Sequence, residues 1–361
     1  MAGIGPGDLG LFVLAAGLSA AAAPLVRAVA LRRGFLDHPA PNKPHGRPTP
    51  TLGGVAIAVP FLGLLWSLTL FAASPISPRE LIGLTGASLL LVALGVYDDL
   101  HGCGASLKFV VQVLAALMLY GAGFGIERLT NPLDDAVGLS SLALPVTILW
   151  LVGITNAINL IDGLDGLASG VVLIAAVTLL VIATRFDETA VALAALVLAG
   201  CLAGFLPYNL PPARLFLGDT GSLFLGATIA AISLLHNRKG ALTITLLLPV
   251  VLLALPILDT TLAFGRRIVG LRHPFRGDTE HLHHRVLRLG LAPREALALF
   301  YSVSGVLGVT AFLLTFVPKQ YTMVAMLVLA LGLGALLWAL FHRERKVSPG
   351  REREAVSGPR S

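Results

Sequence analysis

Asn156-Ala157-Ile158-Asn159-Leu160-Ile161-Asp162-Gly163-Leu164-Asp165-Gly166-Leu167 separates two long apolar runs, one near 142–160 and the next near 167–184. Each run approaches the roughly 20 apolar residues that cross a hydrocarbon core of about 30 Å at about 1.5 Å of helix rise per residue. Inside lipid every backbone N–H and C=O must be satisfied within the segment, so the runs read as helices. A closed β-barrel is the other spanning solution. Its strands alternate apolar and polar residues, whereas these runs are continuously apolar, and a barrel is excluded. Asn159, Asp162 and Asp165 recur at every third position, which puts them on one side of the turn if the turn is helical, with their oxygens able to converge. Ionisable groups at membrane depth are expensive and mark function. A plain interhelical turn would account for the glycines but not for the carboxylates.

The same pattern extends along the chain. Of 361 residues, 56% are hydrophobic and 13% charged, against roughly 25% charged in a soluble domain, so lipid is the main solvent. Apolar runs near 9–30, 52–73, 81–97, 107–125, 142–160, 167–184, 188–206, 216–235, 241–265, 296–317 and 321–342 predict an all-α polytopic membrane protein of about eleven transmembrane helices. Residues 1–342 are expected to form a single polytopic domain, and 343–361 a charged, disordered tail near anionic headgroups. The first apolar stretch is preceded by no basic residue and followed by several, so it reads as a retained helix rather than a signal peptide. Cys103 and Cys201 are too few for a disulfide framework or zinc cluster. With eleven spans, twenty of the 26 lysines and arginines fall on one side and six on the other. The positive-inside rule then puts the N-terminus outside and the C-terminus in the cytoplasm. The pI of 9.7 reflects this bias and calls for no nucleic-acid partner.

The segments assigned to the cytoplasmic face carry the unusual chemistry. In Gly95-Val96-Tyr97-Asp98-Asp99-Leu100-His101-Gly102 two carboxylates close the third helix, where negative charge opposes the helix macrodipole and so is not there for helix stability. In Pro207-Tyr208-Asn209-Leu210-Pro211-Pro212-Ala213-Arg214-Leu215-Phe216-Leu217-Gly218-Asp219-Thr220-Gly221-Ser222 one carboxylate opens a helix, a place where Asp219 could also act as an N-cap. Five carboxylates on one face would repel one another. A hard cation resolves this, and Mg²⁺ prefers one or two carboxylates plus water and phosphate oxygens. The loop from Arg266 to Arg294 holds His281, His283, His284 and Arg285. Zinc fits it poorly, because a helix would not bring the three histidines onto one face and the arginines repel a cation. Phosphate fits better, since arginine forks and protonatable histidines bind phosphate oxygens. Lys43 and His45, in the basic Pro- and Gly-rich stretch 42–54, are candidates for the same pocket.

These elements, in this order over about residues 31 to 290, resemble the polyprenyl-phosphate N-acetylhexosamine-1-phosphate transferases, the membrane family that includes MraY and WecA/TagO. The resemblance implies a roughly eleven-helix fold and transfer of a sugar 1-phosphate from a UDP-sugar to undecaprenyl phosphate, with release of UMP and Mg²⁺ as cofactor, Mn²⁺ substituting. It also implies catalytic or nucleotide roles for Asp98, Asp99, Asp162, Asp165 and Asp219, with Asp219 on the metal. Lys43, His45, Asn159, Asn209, Phe216, His281, His283, His284 and Arg285 fall at substrate-binding positions. His281-Leu282-His283-His284-Arg285 looks more like the WecA/TagO branch than MraY, which points to UDP-GlcNAc as donor and leaves UDP-MurNAc-pentapeptide as the alternative. The implied partners are the UDP-sugar, undecaprenyl phosphate and the bilayer, with a homodimer left open. The implied place is a bacterial plasma membrane with the active site cytoplasmic, initiating cell-envelope glycopolymer synthesis. A transporter or lipid flippase would instead line a pathway at mid-membrane with polar groups.

Overall fold

The computed structural model of the chain describes residues 6–39, 47–72, 74–129, 137–235, 253–254, 256–261, 282–318 and scattered positions between 321 and 335. Among the described residues its helices include α1 (Pro6–Arg33), α2 (Val55–Phe71), α3 (Pro78–His101), α4 (Ala105–Ala122), α5 (Ala143–Ile161), α6 (Leu167–Arg185), α7 (Thr189–Asn209), α8 (Gly218–Ile232), α9 (Leu282–Arg288) and α10 (Pro293–Leu314). Two small antiparallel ladders join them, Leu36–Asp37 with Thr49–Pro50 and Arg128–Leu129 with Val137–Gly138. The first eight expected runs and the run at 296–317 each coincide with a helix. Of 241–265 only 253–254 and 256–261 are described, and 321–342 and the tail lie largely or wholly outside the described residues.

Seven of these helices are long and apolar enough to cross a membrane, and the protein is an all-α polytopic membrane protein. Local sequence sets their ends. Ser77 accepts the Glu80 backbone N–H while the Glu80 carboxylate accepts that of Ser77, and Pro78 follows at the first helical position, so α3 begins with a capping box. At the other end of α4, Gly123 takes a left-handed conformation and stops the helix. Large apolar side chains such as Leu9, Val13, Leu25, Leu149 and Val306 point outward, as helices dissolved in lipid allow.

α8 differs from the others, because every residue from Thr220 to Ile232 is buried. Its 15 residues span roughly 22 Å, too short to cross a bilayer unaided, and a helix apolar on all sides belongs in the interior. It is the central post, packed between α3, α5 and α6. Glycines allow the approach. A Cβ on Gly95 of α3 would lie 2.3 Å from Thr220 Cα, and one on Gly54, just before α2, 2.3 Å from Gly221 Cα. The ends of α3, α5 and α7 therefore meet the starts of α2, α4, α6, α8 and α10 at one pole.

Two local points that the sequence left open are decided by the backbone. The 162–166 turn is not helical: α5 ends at Ile161 and Gly166 adopts φ +78° to start α6, so Asn159, Asp162 and Asp165 do not line up on one helical face. Asp219 is not the N-cap of α8, since it lies inside the first turn, after Leu217 and Gly218.

Candidate active site

The two carboxylates that looked misplaced at the C-terminus of α3 find their partners elsewhere. Asp99 turns to the start of α8, where it accepts the backbone N–H of Asp219 at 2.8 Å, that of Thr220 at 3.2 Å and the Thr220 hydroxyl at 2.6 Å. It caps α8 from another helix, and the charge that opposes the α3 dipole favours that of α8. Asp98 accepts the Cys103 backbone N–H at 2.7 Å and pairs with Lys108 Nζ at 2.8 Å. Lys108, four residues into α4, also donates to Asp219 Oδ2 and so bridges the two carboxylates. The other oxygen of Asp219 accepts Asn159 Nδ2 at 3.1 Å, and the same Asn159 nitrogen lies 2.8 Å from Ser222 Oγ. Asp219 is thus held by one donor from α4 and one from α5.

Asp162 lies in the loop after α5, and among the described residues its side chain makes no hydrogen bond. It keeps some contact with solvent. Burial first, and then the charges of Asp219, Asp99 and Asp165, hold its carboxyl well above the usual carboxylate range. This crowding of negative charge on oxygen donors is what a hard cation would relieve. Among the described residues no group of three His, Cys, Asp or Glu side chains is placed to hold a metal ion. The oxygen donors that would face a Mg²⁺ here are the carboxylates of Asp162 and Asp219, with water and phosphate oxygens left to complete its shell.

Asp165 faces the other way. It accepts the Ala213 N–H at 2.9 Å and borders a cavity of about 810 Å³ whose wall includes Arg47, Thr49, Arg214, Phe216 and Arg294. The cavity wall is built by main-chain bonds: Phe216 N–H to Pro50 O at 2.8 Å and Gly53 N–H to Phe216 O at 2.9 Å. Arg294 adds a bond from Nε to Pro211 O at 3.1 Å. Asn209 is buried, donates to Leu215 O at 3.1 Å and accepts Ser169 Oγ at 2.7 Å, so its amide staples the 210–216 loop to α6. Tyr301 of α10 donates to Gly166 O at 2.6 Å and steadies the 162–166 turn.

Of the residues singled out from sequence, Asp98, Asp99, Asn159, Asp162 and Asp219 gather in one place, while Asp165 and Phe216 border the adjoining cavity. His283, His284 and Arg285 lie on α9, whose first N–H, from Leu282, is accepted by buried Asp259 at 2.9 Å. Lys43, His45 and His281, and the side chains of His283 and His284, lie outside the described residues. Sequence reasoning missed Lys108, using it only as a marker of sidedness. A cation four residues inside an apolar helix was the available signal. Arg214 stood out only as a neighbour of Asp219 that an N-cap does not explain, and Arg294 only as the end of the basic loop, and neither was assigned to the pocket.

Fold and site together define a polytopic membrane enzyme with a carboxylate-and-lysine centre beside an arginine-lined cavity. A family model described as glycosyl transferase family 4 matches residues 81–237. A Bacillus subtilis protein named "Probable undecaprenyl-phosphate N-acetylglucosaminyl 1-phosphate transferase" is 36% identical over 292 residues, 81% of this chain and 80% of its own length. The decaprenyl-phosphate N-acetylglucosaminephosphotransferase of Mycolicibacterium smegmatis is 33% identical over 350 residues, covering 88% and 85%. A phospho-N-acetylmuramoyl-pentapeptide-transferase of Levilactobacillus brevis is 36% identical over 220 residues, 55% of this chain and 65% of its own. The chain belongs to glycosyl transferase family 4.

Proposed function

We propose that the protein transfers N-acetylglucosamine 1-phosphate from UDP-N-acetylglucosamine to undecaprenyl phosphate, releasing UMP, at the cytoplasmic face of a bacterial plasma membrane. The observation that carries this reading is the meeting of Asp98, Lys108, Asn159 and Asp219 at one pole of the bundle, beside a cavity that bears Arg47, Arg214 and Arg294. Two phosphates must be brought together there. The cavity is of the size that holds a small ligand, its arginines suit the diphosphate, and Phe216 offers an aromatic face to the base. The cytoplasmic side is supported by the excess of basic residues at this pole. N-acetylglucosamine is supported by the Bacillus subtilis and Mycolicibacterium smegmatis relatives named for it, which cover 81% and 88% of the chain, whereas the muramoyl-pentapeptide relative covers 55%.

Asp219, with Asp162 alongside, would hold Mg²⁺, which when bound supplies a counter-charge to the pyrophosphate. Lys108 draws Asp98 and Asp219 together and presents an ammonium to developing phosphate charge. Asp98 orients the lipid phosphate. Little base help is required, because a phosphate monoester with a second pKa of about 6 is mostly dianionic at pH 7. A lipid phosphate oxygen attacks the β-phosphorus of the UDP-sugar, the bond to the bridging oxygen breaks, and UMP leaves with the electron pair. His283, His284 and Arg285 on α9 are the further phosphate-binding groups.

The test is purified protein with Mg²⁺, undecaprenyl phosphate and a panel of UDP-sugars, reading UMP release. Turnover of UDP-N-acetylglucosamine, lost with a chelator and restored by Mg²⁺, is the expected result. Turnover of UDP-MurNAc-pentapeptide alone would replace the donor, and metal-independent turnover would remove the cation from the scheme.

A further inference from the structure

One turn deeper than the carboxylate centre, two amides face each other inside the bundle. Gln112 of α4 is buried. Its Nε2 lies 3.3 Å from Asn156 Oδ1, and Asn156 Nδ2 donates to Gln112 Oε1 at 2.5 Å and to Val152 O of its own helix at 2.8 Å. This reciprocal pair is the one side-chain hydrogen-bond link between α4 and α5 among the described residues. Gln112 follows Lys108 by four residues and Asn156 precedes Asn159 by three, so each amide lies on the same helix face as one of the two donors to Asp219. Lys108 reaches one carboxylate oxygen and Asn159 the other. The ring closes through α8, where Gly226 has no side chain and lies against the Thr155 backbone.

We infer that the Gln112–Asn156 pair is a positioning device for the transfer reaction: it sets the register of α4 against α5, and so places the Lys108 ammonium and the Asn159 amide on Asp219 together. Glue between helices could be supplied anywhere along α4 and α5, and small residues pack membrane helices without polar atoms. An amide pair has directional partners at one axial position, so a slip or rotation of either helix breaks it. The inference rests on the transferase reading for its catalytic consequence, but not for its geometry.

The experiment compares Gln112→Met, which keeps chain length and loses the amide, with the exchange Gln112→Asn/Asn156→Gln, which keeps both amides and their summed length. Two readouts are taken on each purified protein. The first is the rate of Lys108 acylation by an amine-reactive ester, followed by mass spectrometry, which needs no substrate. The second is kcat and KM per folded enzyme. Gln112→Met is expected to expose Lys108 to faster acylation and to lower kcat about tenfold or more, the scale of a small displacement at a reacting centre, with KM little changed. The exchange variant is expected to return both readouts to within about threefold of the parent. Unchanged acylation and kcat in Gln112→Met would overturn the inference, as would an exchange variant that folds and yet behaves like Gln112→Met. If Gln112→Met does not fold, the exchange variant decides alone: parental acylation and kcat support the inference, and loss of either in a folded protein overturns it. If the parent turns over no UDP-sugar while Lys108 acylation still follows the amide pair, the transferase reading fails and the positioning stands.

Discussion

Asp99 and Asp219 touch through one hydrogen bond and are expected to fail in different ways. Asp99→Ala leaves two backbone N–H groups and a hydroxyl at the buried start of α8 without their acceptor. The cost should be about 2 kcal/mol or more, seen as a lower Tm in detergent alongside lost activity. Asp219→Asn keeps an oxygen for Asn159 and leaves Lys108 with Asp98, so Tm should stay near that of the parent while UMP release falls roughly a thousandfold, the scale of losing electrostatic stabilisation. Equal Tm losses would erase the distinction. A neighbouring thiol reports on the same centre. Burial, and then the hydrogen bond and charge of Asp98, push Cys103 up to about 11. The thiolate is the form that reacts, so lowering this pKa raises the reactive fraction at pH 8. Asp98→Asn should therefore speed alkylation of Cys103 about threefold or more. An unchanged rate would mean that Asp98 does not govern the thiol.

Among the elements, α3 and α8 meet at a joint that a glycine makes possible. In Gly95→Ala the new methyl would meet the Thr220 backbone at 2.3 Å, and no flexible side chain stands there to yield. The helices must part, so a fall in monodisperse yield and in Tm worth about 1–3 kcal/mol or more is expected. Gly63→Ala, with nothing within 4 Å of its added methyl, is the matched control and should behave like the parent. These joints also mark where sequence reasoning stopped. That two aspartates at a helix C-terminus serve something other than the helix was legible, because the macrodipole argument is local. That Asp99 caps a helix 120 residues further along was not, because nothing near either end carries that pairing. Asn159, Asp162 and Asp165 were legible as a group of interest, but their spacing suggested one face, and the chain leaves the helix at Ile161 instead.

For the whole molecule, the membrane helices were readable because lipid leaves the backbone no alternative, and the pole that holds the chemistry was readable because polar groups concentrate there. The partition between the cavity and the carboxylate centre was not, since it depends on how the 210–216 loop folds back over the 162–166 turn. Sidedness is open to direct measurement. In a background without Cys103 and Cys201, a cysteine at Ser106 should be labelled from the cytoplasm and one at Ser140 from outside, and the reverse pattern would place the centre where no UDP-sugar is found. The buried post α8 has a separate consequence. Bilayers of different thickness strain a membrane protein through its lipid-facing helices, which adapt by tilting. Asp219 rides on a helix that meets no lipid along its length, with its capping acceptor and its donors drawn from neighbours at the same pole. Changes in acyl-chain length should therefore be absorbed by the outer helices, leaving the reacting groups mechanically insulated from the membrane that delivers their lipid substrate.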